Sequence, residues 1–184
     1  MRISITQRWD GAAAAPEERV SLELELTPAH LRVDCWAPLH GDPPPLGSPG
    51  PTPGLWNHEV VELFLFGARG SGEPGAEVWY LELEFGPHGH YLALQFTGRR
   101  ARAERGPIAL EYRAALEGSR WRGRALVARA LLPAGLARYN AHAIHGLGPR
   151  RRYLSAVPAP GTAAPDFHQP ERSASLVGAL RGLG

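Results

Sequence analysis

The sequence predicts an all-β protein, an antiparallel β-sandwich. Short segments of alternating polar and apolar residues recur along the 184-residue chain, and a period of two is typical of half-buried strands. Turns rich in glycine and proline separate these segments, and helical periodicity is almost absent. About ten short strands of this kind favour two packed antiparallel sheets.

The first predicted strands form a hairpin followed by a central strand. Arg19–Leu26 alternates apolar residues with glutamates, so one face is buried. Residues 27–30 contain Pro28, which cannot continue a sheet, so Leu31–Trp36 returns as the antiparallel partner. Glu59–Phe66 is apolar on both faces and is therefore predicted to be a central strand.

A long loop precedes the central strand. Eleven of the 17 residues from Pro38 to Gly54 are proline or glycine, a composition that forbids regular structure. Loops of this length are usually functional or disordered. We therefore expect a mobile loop that leads to the rim of a ligand site.

The rest of the chain continues the strand pattern. Val78–Phe85 and His90–Phe96 form a second hairpin, and residues 67–76 are predicted to be a glycine-rich turn. A helix is expected only as a turn or two at Pro133–Ala137. Further short strands are predicted at Ile108–Ala115, Trp121–Ala130, Tyr139–His145, Arg152–Val157 and Ser175–Leu180.

Length and composition predict one domain, residues 1–184, with 43% hydrophobic residues for its core and 21% charged residues. No apolar run approaches the roughly 20 residues of a membrane helix, and Met1–Trp9 has no secretory hydrophobic region. These features predict a cytoplasmic protein without a membrane segment.

The residue inventory excludes several classes of enzyme. The single cysteine, Cys35, excludes a disulfide within the chain and is predicted to be a small buried hydrophobe. All 20 basic residues are arginine, so lysine-dependent phosphate loops, Schiff bases and pyridoxal chemistry are excluded. The nucleophile-elbow and dinucleotide-binding glycine motifs are missing too. We expect no cofactor and no catalytic activity.

Glu62 is the most informative residue. In the central strand it shares a face with Val60, Phe64 and Phe66. A buried carboxylate is costly unless it has a partner. Two interpretations stay open: a buried ion pair with an arginine, or contact with a ligand.

Three segments, in order, resemble the family 9 carbohydrate-binding modules and their DOMON-like relatives, and together they span about residues 20–180. Leu55–Phe64 (LWNHEVVELF) is similar to the family's tryptophan, acidic, Val-Glu, aromatic pattern. Tyr80–Gly89 (YLELEFGPHG) resembles its aromatic, Glu, Pro-x-Gly hairpin. The third segment starts at Trp121 and ends at Asp166–Arg172 (DFHQPER), which is similar to the aromatic, basic, x-Pro signature.

The resemblance implies a jelly-roll-like sandwich that binds a saccharide or another small polar ligand. It implies that Trp56 and Phe167 stack on the two faces of a sugar ring while Glu62 accepts hydrogen bonds from hydroxyls. Such contacts are physically sound, since a flat ring covers C–H groups and an ionised carboxylate is a strong acceptor. Residues in or beside the matched segments complete the expected ligand-binding set: Trp56, Glu62, Phe167, Glu59, Glu82, His145 and His168.

The chain also departs from the family. The best-known sugar binders have tryptophan in place of Phe167, and an arginine and an asparagine in place of Glu82 and Glu84. Ala143–His145 replaces polar sugar contacts on a later strand. Trp56 also has a second interpretation, as a plug at the end of the core.

Glu82 and Glu84 lie about 7 Å apart by strand rise, a spacing within the range of inverting glycosidases. Catalytic carboxylates flank a cleft, however, and do not lie side by side on one strand. We therefore expect a solvated strand face and rank an enzyme third.

Metal and nucleic-acid sites are not expected either. His142 and His145 would point to opposite faces of a strand, which argues against a three-histidine zinc site with His88, His90 or His168. Haem ligation by methionine is limited to Met1. A net charge of +2 is modest for nucleic-acid binding, so a solvated basic hairpin is predicted for the arginines Arg99, Arg100, Arg102, Arg105 and Arg150–Arg152.

The sequence therefore predicts a non-catalytic carbohydrate-binding module, with another protein as a further partner and with the sugar undefined. The alternative is a structural or protein-interaction domain that kept this fold and lost the sugar site.

Overall fold

A computed structural model of the chain describes residues 1–67, 79–103 and 108–180. These residues form antiparallel sheets with short 3-10 turns and no α-helix, which confirms the all-β prediction. The strands are β1 (Arg2–Ile5), β2 (Gln7–Arg8), β3 (Val20–Leu26), β4 (His30–Pro38), β5 (Val60–Phe66), β6 (Tyr80–Phe85), β7 (Tyr91–Gly98), β8 (Ala101–Arg102), β9 (Glu111–Glu117), β10 (Arg120–Ala128), β11 (Arg138–His145), β12 (Arg152–Ser155) and β13 (Ala174–Ser175). The 3-10 turns are Pro16–Glu18, Leu55–Asn57, Arg129–Leu131 and Gly148–Arg150.

The strands form a five-stranded and an eight-stranded sheet. The first has the order β1-β3-β4-β10-β9, and the second has the order β2-β12-β11-β5-β6-β7-β8 with β13 paired to β11. Strand β5 lies between β11 and β6 and is buried along its whole length, as its two apolar faces predict.

The main core lies between the two sheets. Alternate residues of both sheets point into it, because side chains along a strand alternate between the two faces. Its fully buried members include Leu22 and Val33 from the five-stranded sheet and Leu63, Leu65 and Leu83 from the eight-stranded sheet. Burial of each such side chain contributes about 1.5–3 kcal/mol.

A second apolar cluster covers the outer face of the eight-stranded sheet. Phe64, Phe66 and Tyr80 belong to it, and Tyr80 stacks on Phe96 with ring centroids 4.4 Å apart. The alternate residues of β5 and β6 are therefore buried too, although they face away from the main core. The candidate site lies on this outer face.

The structure corrects three details of the sequence prediction. The strand expected at Ser175–Leu180 shrinks to β13, and the rest of that segment turns. The helical turn lies at Arg129–Leu131, because Leu132 precedes a proline and adopts the extended conformation that this position favours. Strands β1, β2 and β8 were not predicted as separate strands.

Two predictions fall wholly or partly on residues that the structure leaves undescribed. The glycine-rich turn at 67–76 lies outside the described residues except for Gly67, and so does Val78 of the predicted strand Val78–Phe85. No helix in the described ranges is long and apolar enough to span a membrane.

Residues 39–54 form no helix and no named strand, as predicted, whereas Pro38 is the last residue of β4. Hydrogen bonds fasten the loop at both ends: the Asp42 carboxylate accepts from the Gly146 N–H (2.6 Å), and Thr52 donates its N–H to the Tyr91 carbonyl (2.8 Å). The loop leads directly into the 3-10 turn that contains Trp56. Its mobility stays a prediction.

Candidate functional site

A cleft of about 440 Å³ opens on the outer face of the eight-stranded sheet. Trp56, Phe167, Glu62, Glu82 and His168 all belong to its lining. The structure therefore brings five of the seven predicted site residues onto one concave surface. They come from β5, from β6 and from two loop segments far apart in the sequence.

A second cleft, about 390 Å³, lies at the edge of the five-stranded sheet. None of its described lining residues is aromatic, and Arg32 and Glu25 in its wall bind each other at 2.5 Å. It offers no stacking surface for a ligand, so the aromatic cleft is the candidate site.

Trp56 is exposed while its backbone is held in place. It lies in the 3-10 turn Leu55–Asn57, which Leu55 anchors in the second apolar cluster. The guanidinium of Arg151 donates to the carbonyls of Trp56 and Asn57 (3.1 Å), and to that of Gly146 (3.0 Å). The Trp56 side chain is 44% exposed. A fixed backbone with a free ring suits a preformed binding platform.

Phe167 forms another aromatic part of the lining. One face of its ring stacks on His142, with the ring centroids 3.7 Å apart and the ring planes 6° from parallel. Burial lowers the pKa of His142 to about 3, so this histidine is neutral at pH 7 and packs as an aromatic ring. The stack fixes the orientation of Phe167.

Asp166 fastens the segment that carries Phe167 and His168 to the turn between β7 and β8. Its carboxylate accepts hydrogen bonds from the guanidinium groups of Arg99 (3.2 Å) and Arg100 (2.7 Å), and from the backbone N–H of His168 (3.0 Å). Both arginines are exposed, as the predicted solvated basic hairpin requires, and they also form ion pairs with Asp166. Arg105 lies outside the described residues.

His168 is part of a hydrogen-bonded chain that ends at a carboxylate. The Arg100 N–H donates to the Tyr80 hydroxyl (3.1 Å), which lies 2.8 Å from Nδ1 of His168. With Tyr80 donating to Nδ1, the proton of the neutral ring lies on Nε2, 4.0 Å from Oε2 of Glu82. Burial lowers the pKa of His168 to about 4, so the contact with Glu82 is not an ion pair at pH 7.

Three glutamates meet in the floor of the cleft. Glu62 on β5 is paired in register with Glu84 on β6, and Glu82 lies two residues before Glu84 on the same face. Their exposed fractions are 2% for Glu62, 5% for Glu82 and 0% for Glu84. One oxygen from each carboxylate can be chosen so that all three lie within 4.8 Å of one another. The predicted solvated face for Glu82 and Glu84 is therefore wrong, because the segments around Trp56 and Phe167 cover it.

None of the ion pairs among the described residues involves Glu62, so the predicted alternative of an arginine partner is not found. Burial, and next the charge of Glu82, raise the pKa of Glu62 well above its ordinary value. The positive charge of Arg151 acts in the opposite direction. Glu62 therefore shares its site with like charges.

The other two carboxyl groups are perturbed in the same direction. Burial raises the pKa of Glu82 to about 7, although Arg100 and Arg102 lower it. Burial and the charges of Glu62 and Glu82 raise the pKa of Glu84 well above its ordinary value. The Trp56 N–H is close enough to Glu84 to lower this pKa, but it does not reach hydrogen-bond geometry.

Glu59 and His145 lie outside the cleft, so the structure does not support their place in the predicted ligand set. Glu59 accepts hydrogen bonds from the N–H groups of His40 (3.1 Å) and Gly41 (3.1 Å), and it thereby fastens the long loop. His145 stacks on His40, with centroids 3.5 Å apart, and lies 3.4 Å from a Glu18 oxygen. Both residues are structural here.

Several residues of the site were not assigned to it from the sequence, namely Glu84, Tyr80, Arg100, His142 and Arg151. Glu84 had a usable signal, since period-two alternation places it on the same strand face as Glu82, which was assigned to the site. The others reach the site through tertiary contacts that no local pattern marks.

Comparison with known proteins defines the family. No family model matches the chain. The UPF0462 protein C4orf33 homolog of Mus musculus is 35% identical over 178 residues, covering 93% of this chain and 88% of the mouse protein. The chain belongs to the UPF0462 family. The human UPF0462 protein C4orf33 is 33% identical over 175 residues, covering 91% of this chain and 83% of its own length.

Solved structures share the fold of this UPF0462 protein at low sequence identity. A protein of Bacteroides uniformis with a proposed carbohydrate-binding function aligns with a TM-score of 0.68 and 14% identity, covering 95% of this chain and 84% of its own. A family 9 carbohydrate-binding module of Caldicellulosiruptor kristjanssonii, solved in complex with glucose, aligns with a TM-score of 0.52 and 14% identity, covering 83% and 72%. These likenesses confirm the expected resemblance in fold to the family 9 carbohydrate-binding modules.

Proposed function

We propose that the cleft binds a saccharide or another small polyhydroxylated ligand without catalysing a reaction on it. The observation that carries the proposal is the meeting of Trp56, Phe167 and two carboxylates in one cleft, in a fold shared with a family 9 module that was solved with glucose. The aromatic rings offer surfaces for the C–H groups of a sugar. Glu62 and Glu82 offer acceptors for its hydroxyls.

The dimensions and the rigidity of the cleft also support binding. A volume of about 440 Å³ lies in the roughly 300–1,000 Å³ range of small-molecule pockets. Arg151 and Asp166 hold the two loop segments that carry Trp56 and Phe167. A site fastened in advance loses less conformational entropy when a ligand binds.

Titration of the intrinsic tryptophan fluorescence with a panel of mono- and oligosaccharides tests the proposal. A bound sugar should change the emission of Trp56, and Trp56→Ala should abolish this response and weaken binding roughly tenfold or more, about 1.4 kcal/mol. Glu62→Gln should weaken binding by a smaller factor, because the amide replaces one of the two carboxyl oxygens with an NH₂ group that cannot accept a hydrogen bond.

Trp36→Ala is the matched control. Trp36 lies on β4 of the other sheet, where the Arg122 guanidinium lies 5.3 Å from its ring centroid. This variant should retain both the affinity and the fluorescence response. Equal effects of the two tryptophan variants, or no response to any sugar, would reject the saccharide site and leave the protein-interaction domain as the interpretation.

A further inference from the structure

The three glutamates of the cleft floor form an acidic site without a neutralising partner. Glu62 and Glu82 line the cleft, and the fully buried Glu84 lies next to Glu62 in register. Among the described residues, the contact of His168 with Glu82 at 4.0 Å is the only ion-pair distance to any of the three. It leaves Glu62 and Glu84 without an ion pair among the described residues.

Unsatisfied oxygen atoms are an independent indication that a ligand belongs there. Both carboxylate oxygens of Glu84 and Oε2 of Glu82 are buried, and no N–H or O–H donor of the described residues forms a hydrogen bond with them, although Glu82 and Glu84 are close enough to share a proton when one of them is protonated. Most buried side-chain polar atoms in folded proteins have a partner, and each exception calls for an explanation such as an ion. Three such atoms lie in one cluster here.

The spacing of the oxygens fits a single hard cation. Oxygen ligands lie 2.3–2.6 Å from Ca²⁺, so two ligands of one ion lie at most about 5 Å apart. One oxygen from each glutamate meets this condition, since all three lie within 4.8 Å of one another. The same bound admits the shorter Mg²⁺ distances of about 2.0–2.1 Å, but Mg²⁺ demands near-ideal octahedral geometry and gives up its water reluctantly, whereas Ca²⁺ accepts irregular sets of carboxylates. A cluster of three protein carboxylates therefore suits Ca²⁺ better.

The ligand chemistry also favours a hard ion. No histidine or cysteine of the described chain joins the three carboxylates within that distance. Oxygen-only sites suit Ca²⁺, Mg²⁺ and Mn²⁺, whereas Zn²⁺ and copper prefer nitrogen and sulfur ligands. Water or the hydroxyl groups of a ligand in the cleft would complete the coordination of such an ion.

We propose that Glu62, Glu82 and Glu84 bind one hard divalent cation, Ca²⁺, in the floor of the cleft. The ion removes the mutual repulsion of the three carboxylates and supplies the missing partner of Glu84. The inference does not depend on sugar binding, although a Ca²⁺ ion at this position would be within reach of a ligand in the cleft.

The first test is calorimetric titration of the EDTA-treated, dialysed protein with CaCl₂, together with a Tb³⁺ titration. One Ca²⁺ should bind per chain and raise Tm. Tb³⁺ should show sensitised luminescence, because the cluster lies among aromatic residues that include Tyr80 and Trp56, and excess Ca²⁺ should suppress it. Failure of the native protein to bind either ion would overturn the proposal.

Isosteric variants locate the site. Glu84→Gln and Glu62→Gln should each weaken Ca²⁺ binding at least tenfold, since each removes a charged ligand. Glu111→Gln is the control, because Glu111 is an exposed strand glutamate of the other sheet. Circular dichroism checks that each variant is folded. Native-like Ca²⁺ affinity in both cluster variants would place the ion elsewhere and refute the assignment.

Sugar titrations with EDTA and with CaCl₂ separate this inference from the proposed function. Sugar binding in a protein that takes up no Ca²⁺ would refute the cation site alone. Ca²⁺ binding by the cluster with no response to any saccharide would support the cation site and refute the proposed function.

Discussion

Asp34 and the cluster of Glu62, Glu82 and Glu84 lie on opposite sheets and are buried to the same degree, but their electrostatic surroundings differ. Asp34 is 2% exposed on β4. One of its oxygens accepts from Nε of Arg124 (2.6 Å) and the other from Nε of Arg32 (3.0 Å). Its charge is therefore balanced by neighbours on the same sheet face.

Among the described residues, the glutamate cluster has no ion-pair partner comparable to those of Asp34, although arginine is plentiful. All 20 basic residues of the chain are arginine, and Arg100 and Arg102 belong to the lining of the cleft. Arg100 binds Asp166 instead (2.7 Å), and Arg151 donates to backbone carbonyls. A buried carboxylate with a structural role has its counter-ion inside the protein, as Asp34 does. The contrast indicates that the cluster obtains its counter-ion or donor from a ligand.

The largest predicted effect is on the pH dependence of stability in the metal-free protein. Burial raises the pKa of Glu82 to about 7, so the folded state keeps a proton that the unfolded state releases near pH 4.5. The contribution of Glu82 to the free energy of unfolding is therefore largest below pH 4.5, and it is lost as the pH rises through 7. Between pH 5 and pH 8, the native protein should therefore lose about 2–3 kcal/mol more of its free energy of unfolding than Glu82→Gln loses.

Urea unfolding at the two pH values, with EDTA present, measures this effect. The pH dependence of the native protein must be compared with that of the variant, because two histidines also contribute to it. Burial lowers the pKa of His145 to about 4 and that of His168 to about 4. These histidines reduce stability as the pH falls below about 6.5 and so oppose the glutamate effect. A parallel pH dependence in native protein and Glu82→Gln would show that Glu82 is ionised in the folded state as easily as in water.

The second prediction is that Asp34→Asn lowers stability, in contrast to Glu82→Gln. The amide loses two charge-assisted hydrogen bonds, and we expect a loss of about 1–2 kcal/mol because both arginines are partly exposed and regain water. Thermal unfolding at pH 7 should show a Tm lower by several degrees, at roughly 2–4 °C per kcal/mol. An unchanged Tm would remove the contrast between the two sites.

The sequence predicted much of this architecture because period-two alternation reports directly on burial. The central strand β5 and the unusual position of Glu62 followed from the residues alone. Glu84 was misjudged for a physical reason: alternation separates two faces of a strand, but it does not say whether the second face meets solvent. That face is covered by Trp56 and Phe167, which are distant in the chain.

The placement of Glu59 and His145 shows the limit of reading a site from matched segments. Glu59 lies one residue before β5 and near Glu62 in sequence, but it turns toward the long loop and binds the N–H groups of residues 40–42. His145 ends β11 on the face opposite His142, as strand alternation requires. Nearness in sequence therefore did not give nearness in the site.

The smallest predicted effect concerns the two arginines that oppose the burial of Glu82. The positive charges of Arg100 and Arg102 lower the pKa of Glu82, although neither is within ion-pair distance of it. Arg102 is exposed, so solvent screens its effect. Arg102→Gln should raise the Glu82 midpoint by less than about one pH unit, measured by ¹³C NMR of labelled glutamate in metal-free protein.

Arg113→Gln, on the exposed strand β9 of the other sheet, is the matched loss of one positive charge and should leave that midpoint in place. Arg102→Gln should leave Tm at pH 5 unchanged, because Glu82 is protonated there and carries no charge for the arginine to stabilise. A shift of equal size in both arginine variants would mean that Glu82 senses only the net charge of the protein. A shift confined to Arg102→Gln would show that the charges lining the cleft set the ionisation of Glu82. Because these arginines form no ion pair with Glu82, their effect is too weak to neutralise the cluster. A cation could therefore still bind there.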